Sequence, residues 1–227
     1  MRRIRKGSIG RWLISCLFVF ASACTQAPAH SRLKLTMQDS VSIAEQYERA
    51  FDAIAKAKPL IRQGYLILRT GSDFTSESLR QLSQSDKTYS HCGVASIEND
   101  TVFVYHALGG EWNPDEKLRR DPLEIFCSPY ENRGFGIFTY NLNDKATRKL
   151  DSVVKSWYNK GYTFDMDFDL STDEKLYCAE FVSKAIHKAT DTDITFGLTT
   201  INNFTYVAVD NLFKNKYCSE ILRVRYR

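Results

Sequence analysis

The chain has 227 residues, 43% hydrophobic and 26% charged, which suits one globular core and excludes a disordered or low-complexity protein. Its formal charge of +4 resides in a leader: Arg2, Arg3, Arg5, Lys6 and Arg11 precede Cys24, and the remainder holds 26 basic against 27 acidic residues. Such a balance leaves no basic stripe for phosphates and excludes nucleic acid as a partner.

Arg2 to Arg11 form a positive n-region, WLISCLFVF (12–20) an apolar h-region too short to span a bilayer with its flanks, and Ala21-Ser22-Ala23 a small-residue cleavage site. Residues 1–23 therefore read as a secretory signal peptide. Because Cys24 follows, ASAC resembles a bacterial lipobox, and cleavage there would leave a lipidated N-terminal cysteine. The alternative is ordinary cleavage and a soluble exported protein. Thr25 is not the aspartate of inner-membrane lipoproteins, so the expectation is an outer-membrane anchor facing the periplasm. Export permits disulfides; with Cys24 lipidated and Cys178 kept for chemistry, Cys92, Cys127 and Cys218 allow one bridge with unassigned partners.

Residues 24–38 lack periodicity and form a tether, with His30 solvated; residues 39–227 form one domain. Asp39 and Ser40 serve as N-caps for a helix with Ile43, Tyr47, Ala50, Phe51 and Ile54 on one face, stopped by Pro59. A strand over 64–69 closes at Thr70-Gly71, and a polar helix runs near 75–82. Runs 90–97 and 101–107 form a hairpin across Glu98-Asn99-Asp100. A short helix over 121–127, a strand over 134–140 and a helix over 144–159 ended by Gly161 follow. Apolar positions 181, 182, 185, 186 and 189 mark a helix over 178–189, and alternation over 220–226 marks a strand with its arginines outward. Helices with a mostly antiparallel sheet define an α+β domain.

Cys178 opens a helix and shares its apolar face, so the helix dipole favours the thiolate; a small core cysteine is the bland alternative. A hairpin closing with two or four loop residues places His91 and His106 on one face as diagonal neighbours, about 7–8 Å apart at the backbone. A three-residue loop would separate them. On the favourable register one histidine takes the thiol proton and the other orients it. Two satisfied sheet histidines, or a zinc site of His91, His106 and Cys178 with Asp165 and Asp167 nearby, are the alternatives; the preferred reading needs no metal and no cofactor. His187 falls with Glu180, Ser183 and Lys184 on the polar face of that helix. Tyr89 and Tyr177 flank the reactive pair as candidate substrate contacts, with core packing as the alternative.

The segments GYLILRTG (64–71), YSHCGVA (89–95), VYHA (104–107), YTFD (162–165) and LYCAEFV (176–182) resemble the circularly permuted NlpC/P60 superfamily, papain-like amidases of the YaeF/YiiX type with relatives in the lecithin retinol acyltransferase group. In that order histidine precedes cysteine, as here. The resemblance implies an antiparallel half-barrel sheet packed on helices, Cys178 as nucleophile, His91 as base and His106 as the polar third member. It also implies acyl transfer from an amide or ester. The sequence departs from the pattern at Tyr65, where aspartate is common, and at Ala179, where serine is common. The expected function is an exported cysteine amidase or peptidase acting on an envelope substrate, such as a peptide, a peptidoglycan fragment or an acyl lipid. A lipid thioesterase or acyltransferase and a non-catalytic binding lipoprotein are the alternatives.

Overall fold

The computed structural model describes residues 37–110 and 113–226. The signal peptide, Cys24, His30 and most of the tether lie outside the described residues. The compact unit extends over Met37–Arg227, so its first helix takes in the last two tether positions.

Six strands form one antiparallel sheet: β1 Leu66–Gly71, β2 His91–Glu98, β3 Thr101–His106, β4 Arg119–Pro122, β5 Asn132–Thr139 and β8 Ser219–Arg225, ordered β4-β3-β2-β1-β5-β8. A separate small hairpin pairs β6 Thr199–Ile201 with β7 Phe204–Tyr206. Strand alternation sorts the apolar side chains between two layers. Leu66, Leu68, Cys92, Val94 and Tyr105 belong to a cluster with α4 Asp144–Lys160 and α5 Cys178–Ala189, through Leu150, Val154, Phe181 and Ile186. Ile67, Ala95, Val102, Val104, Phe135 and Ile137 form the other cluster, with the end of α1 Met37–Ala57 and with α3 Leu123–Phe126. Burying both faces is what makes these strands almost continuously apolar.

The predicted helices over 39–58, 144–159 and 178–189 form, with small shifts at the ends. Asn143 caps α4 by accepting from the Ala146 N–H at 2.9 Å, and Gly161 ends it at φ 73°, the left-handed conformation glycine tolerates. In α1 only Ala50, Ile54 and Ala57 are buried; Ile43, expected to face the core, is exposed along with the rest of residues 37–45, so only the second half of the helix packs on the domain. α2 is Phe74–Arg80.

Three further expectations change. Asp121 lies in edge strand β4, not a helix: β4 pairs with β3 in the register Val104↔Asp121 and His106↔Arg119 until Pro122, which has no N–H to continue a ladder, and helix starts at Leu123. Arg223 is not simply outward, since it pairs with Asp86 (2.9 Å) and Glu220 (2.6 Å) while lying 5.5 Å from the rings of Tyr89, Phe138 and Phe213. The one disulfide that the cysteine count allows is not formed; Cys92, Cys127, Cys178 and Cys218 are free, and Cys92 and Cys127 sit in different layers.

Candidate active site

The hairpin closes with two residues, Asn99 (φ 47°) and Asp100 (φ 62°), in the paired left-handed conformation that matches strand twist. Glu98 consequently faces Thr101 and Val94 faces Tyr105. His91 and His106 thus share a face, as the parity argument requires, and His91 Nε2 lies 2.8 Å from His106 Nδ1. Both rings are buried against Phe126, at centroid separations of 5.7 and 4.9 Å.

Beyond His106 the chain of contacts continues to a carboxylate, because Asp121 Oδ2 lies 3.1 Å from His106 Nε2 and is also 3.1 Å from Arg119. Burial raises the proton affinity of Asp121, but His106 and Arg119 more than offset it and hold the carboxyl below its usual range. An ionised carboxylate only accepts, so His106 Nε2 carries the hydrogen and its Nδ1 is the acceptor. His91 Nε2 must then donate, which leaves the lone pair of neutral His91 on Nδ1. That nitrogen makes no hydrogen bond among the described residues.

Both imidazoles are kept neutral. Burial, then the charge of Arg69, lowers His91 well below 6.5, and burial lowers His106 to about 4. Arg69 sits directly across from His91 on β1, donates to the Phe126 carbonyl at 3.3 Å and lies 5.0 Å from the Phe126 ring.

Cys178 is the first residue of α5, with Tyr177 as N-cap. The Tyr177 N–H donates to Glu180 Oε2 at 3.3 Å, the carboxylate half of a capping box, and Glu180 pairs with Lys184 at 2.9 Å. Glu180 is therefore fully buried, which corrects its placement on a solvated face; His187 is exposed as expected. The Cys92 thiol is the largest influence favouring the Cys178 thiolate, joined by the N–H groups of Ala179 and Cys92 and by Arg69, and together they outweigh burial and lower the thiol below 9.0. Cys92 is pushed the other way by burial and stays a protonated donor. Since the Cys92 N–H points at the sulfur, Cys178 rests against the peptide that joins His91 to Cys92. Cys178 and His91 make no hydrogen bond: both imidazoles pack on Phe126, in the layer that holds Ala95 and Val104, whereas Cys178 belongs with Cys92 and Val94 to the layer of α5, so the structure does not bring the expected thiol–imidazole pair together.

The Cys178 side opens on a narrow crevice of about 30 Å³, lined mainly by Leu79, Leu82, Phe168, Tyr177, Tyr206 and Val207. Tyr177 lines it, while its hydroxyl accepts from the Val207 N–H at 2.7 Å. Tyr89 does not belong to the crevice: it is buried edge-on against Phe138 (6.0 Å) and Phe213 (5.5 Å), so its candidate role as a substrate contact gives way to core packing. Asp165, a candidate ligand beside Asp167, turns into its own loop and accepts from the N–H groups of Asp167 and Asp169. Sequence reasoning does not reach Asp121, Arg69 or Cys92. The register of β4 would have supplied the first, and strand pairing the second.

These features define an α+β protein with a thiol at a helix start and a carboxylate-terminated histidine pair on the adjoining sheet. No family model and no curated protein matches the chain. Among solved structures it is similar to the metalloprotein YiiX from Escherichia coli O157:H7, with a TM-score of 0.59 and 17% identity over 72% of this chain and 98% of that one. At that identity the likeness establishes a common fold.

Proposed function

We propose that the chain is an exported cysteine hydrolase of the permuted papain-like type, cleaving an amide or ester bond of a cell-envelope substrate through a thioester on Cys178. The observation that carries this reading is the Cys178 thiol, held below its ordinary value at the start of α5 against the His91–Cys92 peptide, with the relay Asp121–His106–His91 on the other face of the same strand. In the first half-reaction Sγ bonds to the substrate carbonyl carbon, and the thiol proton passes to the departing nitrogen or oxygen through His91, whose ring must turn from Phe126 to the Cys178 side for this step, as the bond to that carbon breaks. Water then attacks the thioester, giving one proton to His91, which returns it to the sulfur as the acid leaves. The Cys178 N–H at the helix start stabilises the oxyanion. The arginine-rich leader, the apolar run 12–20 and Cys24 support export and a lipid anchor on the outer membrane.

The fold neighbour is described as a metalloprotein. In this chain His91, His106 and Cys178, the zinc donors considered from the sequence, do not fit a metal: His91 Nε2 and His106 Nδ1 are engaged with each other, and no group of three or more His, Cys, Asp or Glu among the described residues has a metal-holding geometry. A second reading, an acyl-lipid thioesterase or acyltransferase, is favoured by the apolar lining of the crevice beside Cys178.

Incubating the full chain with matched amide, ester and thioester substrates, with short and long acyl groups, and reading acyl adducts by mass spectrometry tests both. An adduct on Cys178, absent in Cys178→Ala and strongly reduced in His91→Ala, is the expected result. A requirement for long acyl chains selects the lipid reading. Absence of any adduct together with an ordinary Cys178 thiol would overturn catalysis in favour of a binding protein.

A further inference from the structure

We infer that the chain carries a second ligand site, independent of Cys178, that binds a phosphate ester. A cavity of about 400 Å³ is lined by Thr70, Arg80, Lys87, Thr88, Arg133 and Arg225. Four cations converge on it from four segments of the fold: α2, the loop before β2, β5 and β8. Among the described residues their one acidic neighbour at ion-pair distance is Glu77, which engages Arg80 at 3.0 Å and Arg133 at 3.5 Å. Lys87 donates to the neutral Gln81 at 3.2 Å, and no carboxylate among the described residues pairs with Lys87 or Arg225.

A concave surface with a surplus of about three positive charges is electrostatically incomplete, because its like charges repel and field lines focus in the hollow. Three guanidinium forks and an ammonium suit a multiply charged tetrahedral group with several acceptor oxygens better than a single planar carboxylate. The cavity is also far larger than one phosphate needs, which leaves room for the esterified group. Its wall adjoins the Cys178 crevice: Arg80 lines the cavity and Leu79 the crevice, while Thr88 and Ser90 stand two residues apart on the two linings. The overall mature charge balance gave no hint of this, since the four cations are scattered through the sequence and meet only in the fold.

Calorimetric titration of the full chain at low ionic strength with inorganic phosphate, and separately with monomeric dihexanoyl phosphatidic acid, tests the inference. Saturable one-to-one binding of at least one probe is expected, weakened by about tenfold or more in the Lys87→Gln/Arg225→Gln double variant, which removes two charge-assisted contacts. Tighter binding of phosphatidic acid identifies a lipid headgroup as the source; equal binding identifies free phosphate as sufficient. Failure of the wild-type chain to bind either probe, or equal binding by wild type and a variant of unchanged unfolding midpoint, would overturn the site. Cys178 alkylation measured on the same variants separates this result from the proposed hydrolase chemistry.

Discussion

Asp121 reaches Nε2 of His106 at 3.1 Å, and through that one contact sets where the exchangeable proton of His91 resides, two residues away in the relay. Asn at position 121 can present an N–H instead of an oxygen, which would reverse both histidine tautomers and occupy the His91 Nδ1 lone pair. Asp121→Asn is expected to reduce thioester formation by about 10²–10⁴-fold, the usual contribution of a general base. Nitrogen NMR of the two imidazoles should show the exchanged tautomer. Unchanged tautomers with lost activity would assign Asp121 a structural role only.

The thiol pair gives a second prediction. Cys178 is lowered below 9.0 chiefly by the Cys92 thiol, so alkylation of Cys178 should proceed at a pH where an ordinary cysteine is protonated and should fall as pH drops through the lowered value. In Cys92→Ala the midpoint should move upward, with α5 intact by circular dichroism. A midpoint indifferent to residue 92 would remove Cys92 from the tuning of the nucleophile.

His106 makes stability depend on pH. Its folded value of about 4 lies below the ordinary 6.5, so between those values the unfolded chain holds a proton that the folded chain does not. Stability is complete above 6.5 and decreases as pH falls toward about 4, by ~3 kcal/mol from this group. Urea unfolding at pH 7 and pH 4.5 should show a smaller difference for His106→Gln than for wild type; equal differences would contradict the burial argument.

Glu180 acts with the opposite sign. Burial raises it to about 7 despite Lys184, so the folded chain retains a proton between 4.5 and about 7 that the unfolded chain has released. Stability from this group is complete below 4.5 and declines as pH rises to about 7. Glu180→Gln keeps an acceptor for the Tyr177 N–H and removes the buried charge, so its unfolding midpoint relative to wild type should be higher at pH 8 than at pH 5. A difference independent of pH would show that Glu180 is ionised throughout.

The sequence carried those parts of the site that obey a local period. Cys178–Ala189 reads as a helix because its apolar residues recur at three and four, and the histidine pair follows from strand parity across a turn. What escaped depends on tertiary partners. Asp121 lies in a four-residue edge strand whose RRDP sequence shows no alternation, and Cys92 becomes a neighbour of Cys178 only when α5 docks on β2. Glu180 has helical spacing typical of a solvated position, but its cap role draws it inward. The three-residue strands β6 and β7 are too short for a period to show.

The Asn99-Asp100 turn has a counting function as well as a conformational one. Its side chains make no hydrogen bond or ion pair with Asp121, His106 or His91, so many residues tolerant of a left-handed backbone can occupy it, and drift in its identity is cheap. Its length is another matter. Adding or deleting one residue advances β3 by half a pleat and carries His106 through the sheet to the opposite layer, away from His91 and Asp121 together. In relatives that keep this chemistry, the hairpin should vary freely in spelling while changing length only by even numbers.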